Sequence, residues 1–150
     1  MKLSDITELH YITPIANLPS IVRSGILSHK RVTEMQHVSV AMEEIQEKRR
    51  QKKIPGAGQL HDYVNLYFDA HNPMLSKRRD KNNEICILRL DPEVLNIEGV
   101  IIADCNAAST YAKFLTVKEG IASLDKEQVY ARYWNHENYY EKIQHASIKC

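Results

Sequence analysis

The chain reads as a single α+β domain. Three observations predict this. Short apolar runs with strand composition recur at residues 9–12 (LHYI), 84–90 (EICILRL) and 99–103 (GVIIA). Stretches with helix start and stop residues stand between them. The two kinds of element do not alternate with the regularity of βαβ units, which argues against a doubly wound sheet. A length of 150 residues suits one domain with its own core. No repeat, linker or shift in composition marks a second.

Taken in order, residues 9–12 form a strand and Asn17-Leu18-Pro19 opens a helix. Asn17 is the candidate cap, Pro19 lies in the first turn, and Gly25 ends the helix. A helix over 40–52 turns Ile45 inward and carries Glu43, Glu44 and Glu47 ahead of a basic end. IPGAG at 54–58 is a loop. YVNLYF at 63–68 has strand composition, and His71-Asn72-Pro73 breaks it before a short helix holding Met74 and Leu75. The runs at 84–90 and 99–103 read as buried strands, with one helical turn opened by Asp91-Pro92 between them. Asp125 caps a helix reaching about residue 133. The tail, 146–150, reads as the start of another strand.

Composition narrows the function. Apolar content of 43% and charged content of 26% are globular values. No apolar run is long enough to span a bilayer. The segment MKLSDITELHYIT has no apolar signal core. The three cysteines, Cys86, Cys105 and Cys150, show neither disulfide nor zinc spacing, so a reduced cytoplasm is expected. A net charge of +1 does not itself point to nucleic acid. Two basic clusters do stand out, RRQKK at 49–53 and KRRDK at 77–81. They read either as phosphate-binding patches or as solvated helix ends. The sequence has no GxGxxG, Walker, HExxH, paired-cysteine or nucleophile-elbow pattern, so no metal is expected. A nucleotide would be held by side chains and strand edges.

The stretch 60–75, LHDYVNLYFDAHNPML, is the most informative. It sets polar residues against a strand of core composition, which suggests a site built on a rigid element. Four segments then fit together: LHYIT with NLPSI at 9–21, IQEKRR at 45–50, LHDYVNLYF with NPML at 60–75, and DCNAAS at 104–109 with Tyr111 and Phe114. In this order, with Tyr133-Trp134 following, they resemble the DarT family of DNA ADP-ribosyltransferase toxins.

The resemblance implies an ADP-ribosyltransferase-like fold, a split, mostly antiparallel β-sheet with flanking helices. It implies cleavage of the nicotinamide bond of NAD and transfer of ADP-ribose to a base in single-stranded DNA, thymine or, in a sister branch, guanine. It also implies a macrodomain antitoxin partner, DarG, and a role in toxin–antitoxin pairing and phage defence. By the same resemblance His10, Thr13 and Asn17 contact NAD, and Arg49 is the guanidinium at the NAD-bound centre. An arginine suits a pyrophosphate because its charge is permanent and its donor fork planar. Arg50 is the alternative, facing DNA or solvent. His61, Asp62, Tyr63, Asn106 and Ser109 are candidates for contact with DNA. Their plainer readings are packing, loop and cap roles.

This chain departs from the family in two places. Where the family commonly has VPFYF, residues 64–68 read VNLYF, with Asn65 for a proline and Leu66 for an aromatic. The family's glutamate, which stabilises the oxocarbenium-like centre and accepts the base proton, falls by register just after Cys150. The expectation is therefore a domain lacking its C-terminal strands and nearly or wholly inactive. The alternatives are a non-catalytic module binding NAD or single-stranded DNA, and a transferase acting on RNA or protein.

Overall fold

The computed structural model describes residues 1–32, 43–135 and 137–149. A 3-10 turn at Leu3–Asp5 precedes strand β1 (Leu9–Pro14). A second turn, Ile15–Asn17, leads into helices α1 (Leu18–Ser24) and α2 (His29–Val32). Helix α3 (Glu43–Gln51) runs into the small hairpin of β2 (Lys53–Ile54) and β3 (Gly58–Gln59), followed by a 3-10 turn at Leu60–Asp62. Helix α4 (Pro73–Ser76) and strand β4 (Ile85–Leu90) come next, then a turn at Pro92–Asn96 and strands β5 (Ile101–Ala103) and β6 (Phe114–Thr116). Helices α5 (Val117–Ser123), α6 (Lys126–Val129) and α7 (Tyr139–Ile148) complete the order.

All strand pairing among the described residues is antiparallel. β1 pairs with β4 over its full length, from Leu9 opposite Leu90 to Pro14 opposite Ile85. Its other edge meets Tyr67 in a bridge, where His10 and Tyr67 exchange backbone hydrogen bonds of 2.8 and 2.9 Å. β1 is therefore paired on both edges and buried at Leu9, His10, Ile12, Thr13 and Pro14.

The main core lies where β5, α5 and α6 meet the start of β1. Ile6, Leu9, Leu95, Ile102, Ile121, Leu124 and Val129 are buried together there. Each such side chain contributes about 1.5–3 kcal/mol by leaving water. Gly120 sets how close α5 comes: a Cβ at that position would lie 2.3 Å from the Cβ of Ile102.

The helices expected from residue 18, over 40–52 and near 73 and the strands expected at 9–12, 84–90 and 99–103 all form, over the bounds given above. Residues 40–42 and the Ile45 side chain lie outside the described residues. Five expectations change. Residues 63–68 are not a strand; only Tyr67 pairs, and the rest of the run is irregular. Tyr63 instead turns its hydroxyl to the Ala57 carbonyl at 2.9 Å. The tail is helical because Asn138 caps α7, its side chain accepting the Tyr140 amide at 2.9 Å. The helix capped by Asp125 stops at Val129. Asn17 does not cap α1: it already has helical backbone angles, and its side-chain amide donates to Thr13 Oγ1 at 3.2 Å. β4 is not fully buried but alternates half-buried and exposed positions, as expected with one solvated face.

Candidate functional site

A cavity of about 950 Å³ opens between β1, α3 and the 60–69 segment and runs inward toward Leu95 and Val129. Alternation along β1 turns Tyr11 and Thr13 to one face. Both line the cavity, as does Asn17 just beyond. Thr13 is only 2% exposed and accepts the Asn17 bond, so the two form one polar wall. Burial pushes the Tyr11 phenol up, partly offset by a hydrogen bond with Thr13 and the positive charge of Arg49. Arg49 therefore stands close to Tyr11 across the cavity.

Helix α3 supplies the opposite wall with Gln46, Lys48 and Arg49. Residues three apart share a helix face, which is why Gln46 and Arg49 point the same way. Lys48 and Gln51 hold Glu44 and Glu47 one turn back, at 2.7 and 2.9 Å, and stiffen the helix. Arg49 is half-buried, and its Nε is buried with no hydrogen-bond partner among the described residues. An unsatisfied buried donor costs about 1–3 kcal/mol, more when charged, so a group left this way is poised for a ligand.

His61 lies beneath this helix, 8% exposed, with its Nε2 donating to Gln46 Oε1 at 3.1 Å. Its ring is 4.2 Å from that of His29, centroid to centroid. Burial lowers its pKa first, and the positive charges of His29, Arg49 and Arg50 lower it further against the opposing pull of Asp62. These surroundings favour the neutral imidazole. Asp62 is held by Lys30 at 2.8 Å and by the Gln59 amide at 3.0 Å, and the Lys30 contact leads in lowering its pKa.

The structure places Thr13, Asn17, Arg49, His61, Asp62, Tyr63, Asn106 and Ser109 on the cavity wall. Asn106 and Ser109 spend their side chains on local turns, accepting the Ala108 and Tyr111 amides at 2.9 and 3.2 Å. His10 and Arg50 are not on the wall. His10 points to the other face of β1, its Nε2 lying 3.0 Å from Glu8 Oε1 and its buried Nδ1 lacking a partner among the described residues. Arg50 is exposed and lies 3.5 Å from Glu47. Tyr11, Gln46 and His29 were not picked out from sequence. Tyr11 and Gln46 were legible as the same-face neighbours of Thr13 and Arg49, by the strand period of two and the helix spacing of three. Nothing in the sequence pointed to His29.

No group of three or more His, Cys, Asp or Glu among the described residues is placed to hold a metal ion. No helix among them is long and apolar enough to cross a membrane. What the wall offers is a guanidinium, amides, hydroxyls and aromatic faces.

This antiparallel α+β scaffold is that of an ADP-ribosyltransferase-like domain, as its superposition on the solved structures reported below shows. Residues 10–149 match the family described as "ssDNA thymidine ADP-ribosyltransferase, DarT", and the chain belongs to that family. It is 32% identical over 140 residues to a DNA ADP-ribosyl transferase of Thermus sp. (strain 2.9), covering 85% of this chain and 66% of that protein. It is 30% identical over 145 residues to a DNA ADP-ribosyl transferase–DNA ADP-ribosyl glycohydrolase fusion protein of Thermosipho africanus, covering 87% and 35%. The chain thus spans less than two thirds of either relative. Among solved structures, Thermus sp. 2.9 DarT in complex with ADP-ribosylated single-stranded DNA superposes with a TM-score of 0.79 at 30% identity, over 92% of this chain and 71% of that one. The same Thermus protein in complex with NAD+ gives 0.76 at 27% identity, over 96% and 72%.

Proposed function

We propose that this chain is the NAD-binding part of a transferase that moves ADP-ribose from NAD to a base of single-stranded DNA, releasing nicotinamide. The observation that carries this reading is the unpaired Arg49 Nε on the wall of a cavity of ligand size. NAD supplies an activated ribosyl group and an anionic pyrophosphate. Arg49 presents its fork to the pyrophosphate, and Thr13 and Asn17 fix the ribose side of the cavity with hydroxyl and amide groups. Tyr11 lines the same wall beside Thr13. His10, on the other face of β1, is assigned to NAD by family resemblance alone.

In the transfer, the bond from ribose C1 to nicotinamide breaks with its electron pair leaving on nicotinamide. A base nitrogen bonds to C1 and gives up its proton. A carboxylate near C1 stabilises the developing positive charge and takes that proton. The ion-paired acids on the cavity wall do not suit that task. Asp62 is held by Lys30, and Asp69 lies 2.6 Å from the Lys149 ammonium. With these two acids committed to ion pairs, the chain is proposed to bind NAD with little or no turnover.

Arg49 of the first basic cluster and Lys77 and Arg78 of the second line the cavity, and Lys77 is near enough to help hold Glu44 ionised. The two basic clusters, distant in sequence, thus converge there and supply a path for a phosphate backbone. Thymine is the favoured acceptor base and guanine the alternative. The partner is a macrodomain antitoxin of the DarG kind, as the glycohydrolase half of the Thermosipho fusion supports. The compartment is the cytoplasm.

Calorimetry with NAD is expected to show binding that Arg49→Ala removes; a chain that does not bind NAD ends this reading. Mass spectrometry of a thymine-containing oligonucleotide incubated with chain and NAD is expected to show little or no added ADP-ribose. Robust addition overturns the inactivity. Binding of both NAD and DNA with no transfer under any condition favours a non-catalytic module.

A further inference from the structure

Arg49 is the centre of the proposed site, yet its Nε is anchored to nothing among the described residues. Its direction must come from the helix that carries it. Helix α3 has nine described residues, and a helix of that order is not fixed in orientation by its own bonds. The bonds from Lys48 to Glu44 and from Gln51 to Glu47 lie within the helix, so they stiffen it without orienting it. The bond between Gln46 and His61 does orient it, because it crosses from α3 to the 3-10 turn at Leu60–Asp62. That turn is itself braced by Asp62 on Lys30 and, one residue on, by the Tyr63 hydroxyl on Ala57.

We propose that Gln46 and His61 form a positioning pair that fixes the face of α3 and so aims the Arg49 guanidinium into the cavity. This rests on the dinucleotide reading above for its purpose, though the aiming is a property of the ligand-free chain. Gln46 sits one turn before Arg49 on the same face and contributes its amide oxygen to the turn rather than to a ligand. His61 is assigned to this brace and not to DNA. It is buried, its Nε2 proton is committed to Gln46, and its surroundings favour the neutral form.

Two measurements on the full chain test this. The first is the order of the Arg49 side chain, read from its Nε–H NMR signal without ligand and assigned through Arg49→Lys. Gln46→Ala and His61→Ala are expected to mobilise it, whereas His61→Gln, whose side-chain amide still donates, is expected to restore most of the order. Thermal melts check that each variant is folded. An Arg49 signal equally ordered in folded Gln46→Ala and His61→Ala overturns the inference. The second is NAD affinity, expected to fall about tenfold in Gln46→Ala, within the range of coupling between neighbouring residues. A wild-type chain that does not bind NAD ends the dinucleotide reading while the NMR result still decides the aiming. Wild-type binding that Gln46→Ala leaves unchanged overturns the inference alone.

Discussion

Two cations in this molecule are buried in opposite ways. Lys149, at the end of α7, has a side chain only 1% exposed. Its ammonium lies 2.6 Å from Asp69 and donates to the Val129 carbonyl at 2.9 Å. Arg49, on the wall of the same cavity, keeps a buried Nε with no partner among the described residues. The first arrangement is self-sufficient: the charge is compensated within the fold and ties α7 to the 60–69 segment and α6. The second costs stability and returns it only when something anionic arrives. Both cations line the same cavity, so satisfaction, and not burial or charge, separates a structural cation from one available to a ligand.

The largest effect is expected from breaking the satisfied pair. Asp69→Ala strands a buried ammonium and should cost about 3–5 kcal/mol, measured by urea unfolding. A change below about 1 kcal/mol would make the two cations alike and dissolve the contrast. Arg49→Ala should do the reverse. NAD affinity should fall by about 2–5 kcal/mol, the usual cost of truncating one side of a buried charge pair. Stability should move by no more than about 1 kcal/mol, since the lost packing of the stem is offset by removal of the unsatisfied buried donor. Calorimetry and unfolding on the same sample separate the two outcomes.

Gly120→Ala touches neither cation and tests the core between them. Its methyl would press on Ile102, and overpacking of this kind costs about 1–3 kcal/mol. NAD affinity of the folded variant should be unchanged. The smallest effect concerns pH. His61 has its pKa lowered in the fold, so the unfolded chain takes up the proton first as pH falls. Its contribution to stability is complete above the ordinary value of 6.5 and is lost as pH falls from there toward the folded value. His61→Gln should flatten that part of the melting-temperature profile. An unchanged slope would mean that the imidazole is already charged beside Arg49.

Much of the fold was legible because local rules and tertiary packing agree. β1 has strand composition and finds partners on both edges, and α1 opens at Leu18-Pro19 and stops at Gly25 with φ +75°. Residues 63–68 misled because β composition reports a fit to a half-buried pleated surface, and here only Tyr67 finds an edge to pair with. The tail departs from a strand because the Asn138 cap and the Glu141 in the first turn start a helix that runs through Ile148. Within the candidate site, Thr13, Asn17 and Arg49 came from family resemblance, and their gathering round one cavity is a tertiary fact. Gln46 and His61 lie 15 positions apart, and no short-range spacing rule connects them.

Gly120 carries one more consequence. Since no side chain fits between α5 and Ile102, the helix has a single seat on the sheet. A slip of one position would drive Glu119 or Ile121 into the space that only a hydrogen fills. Position 120 acts as an indexing notch: it fixes where the chain leaves β6, and hence where α6 and the Val129 carbonyl that receives Lys149 come to rest.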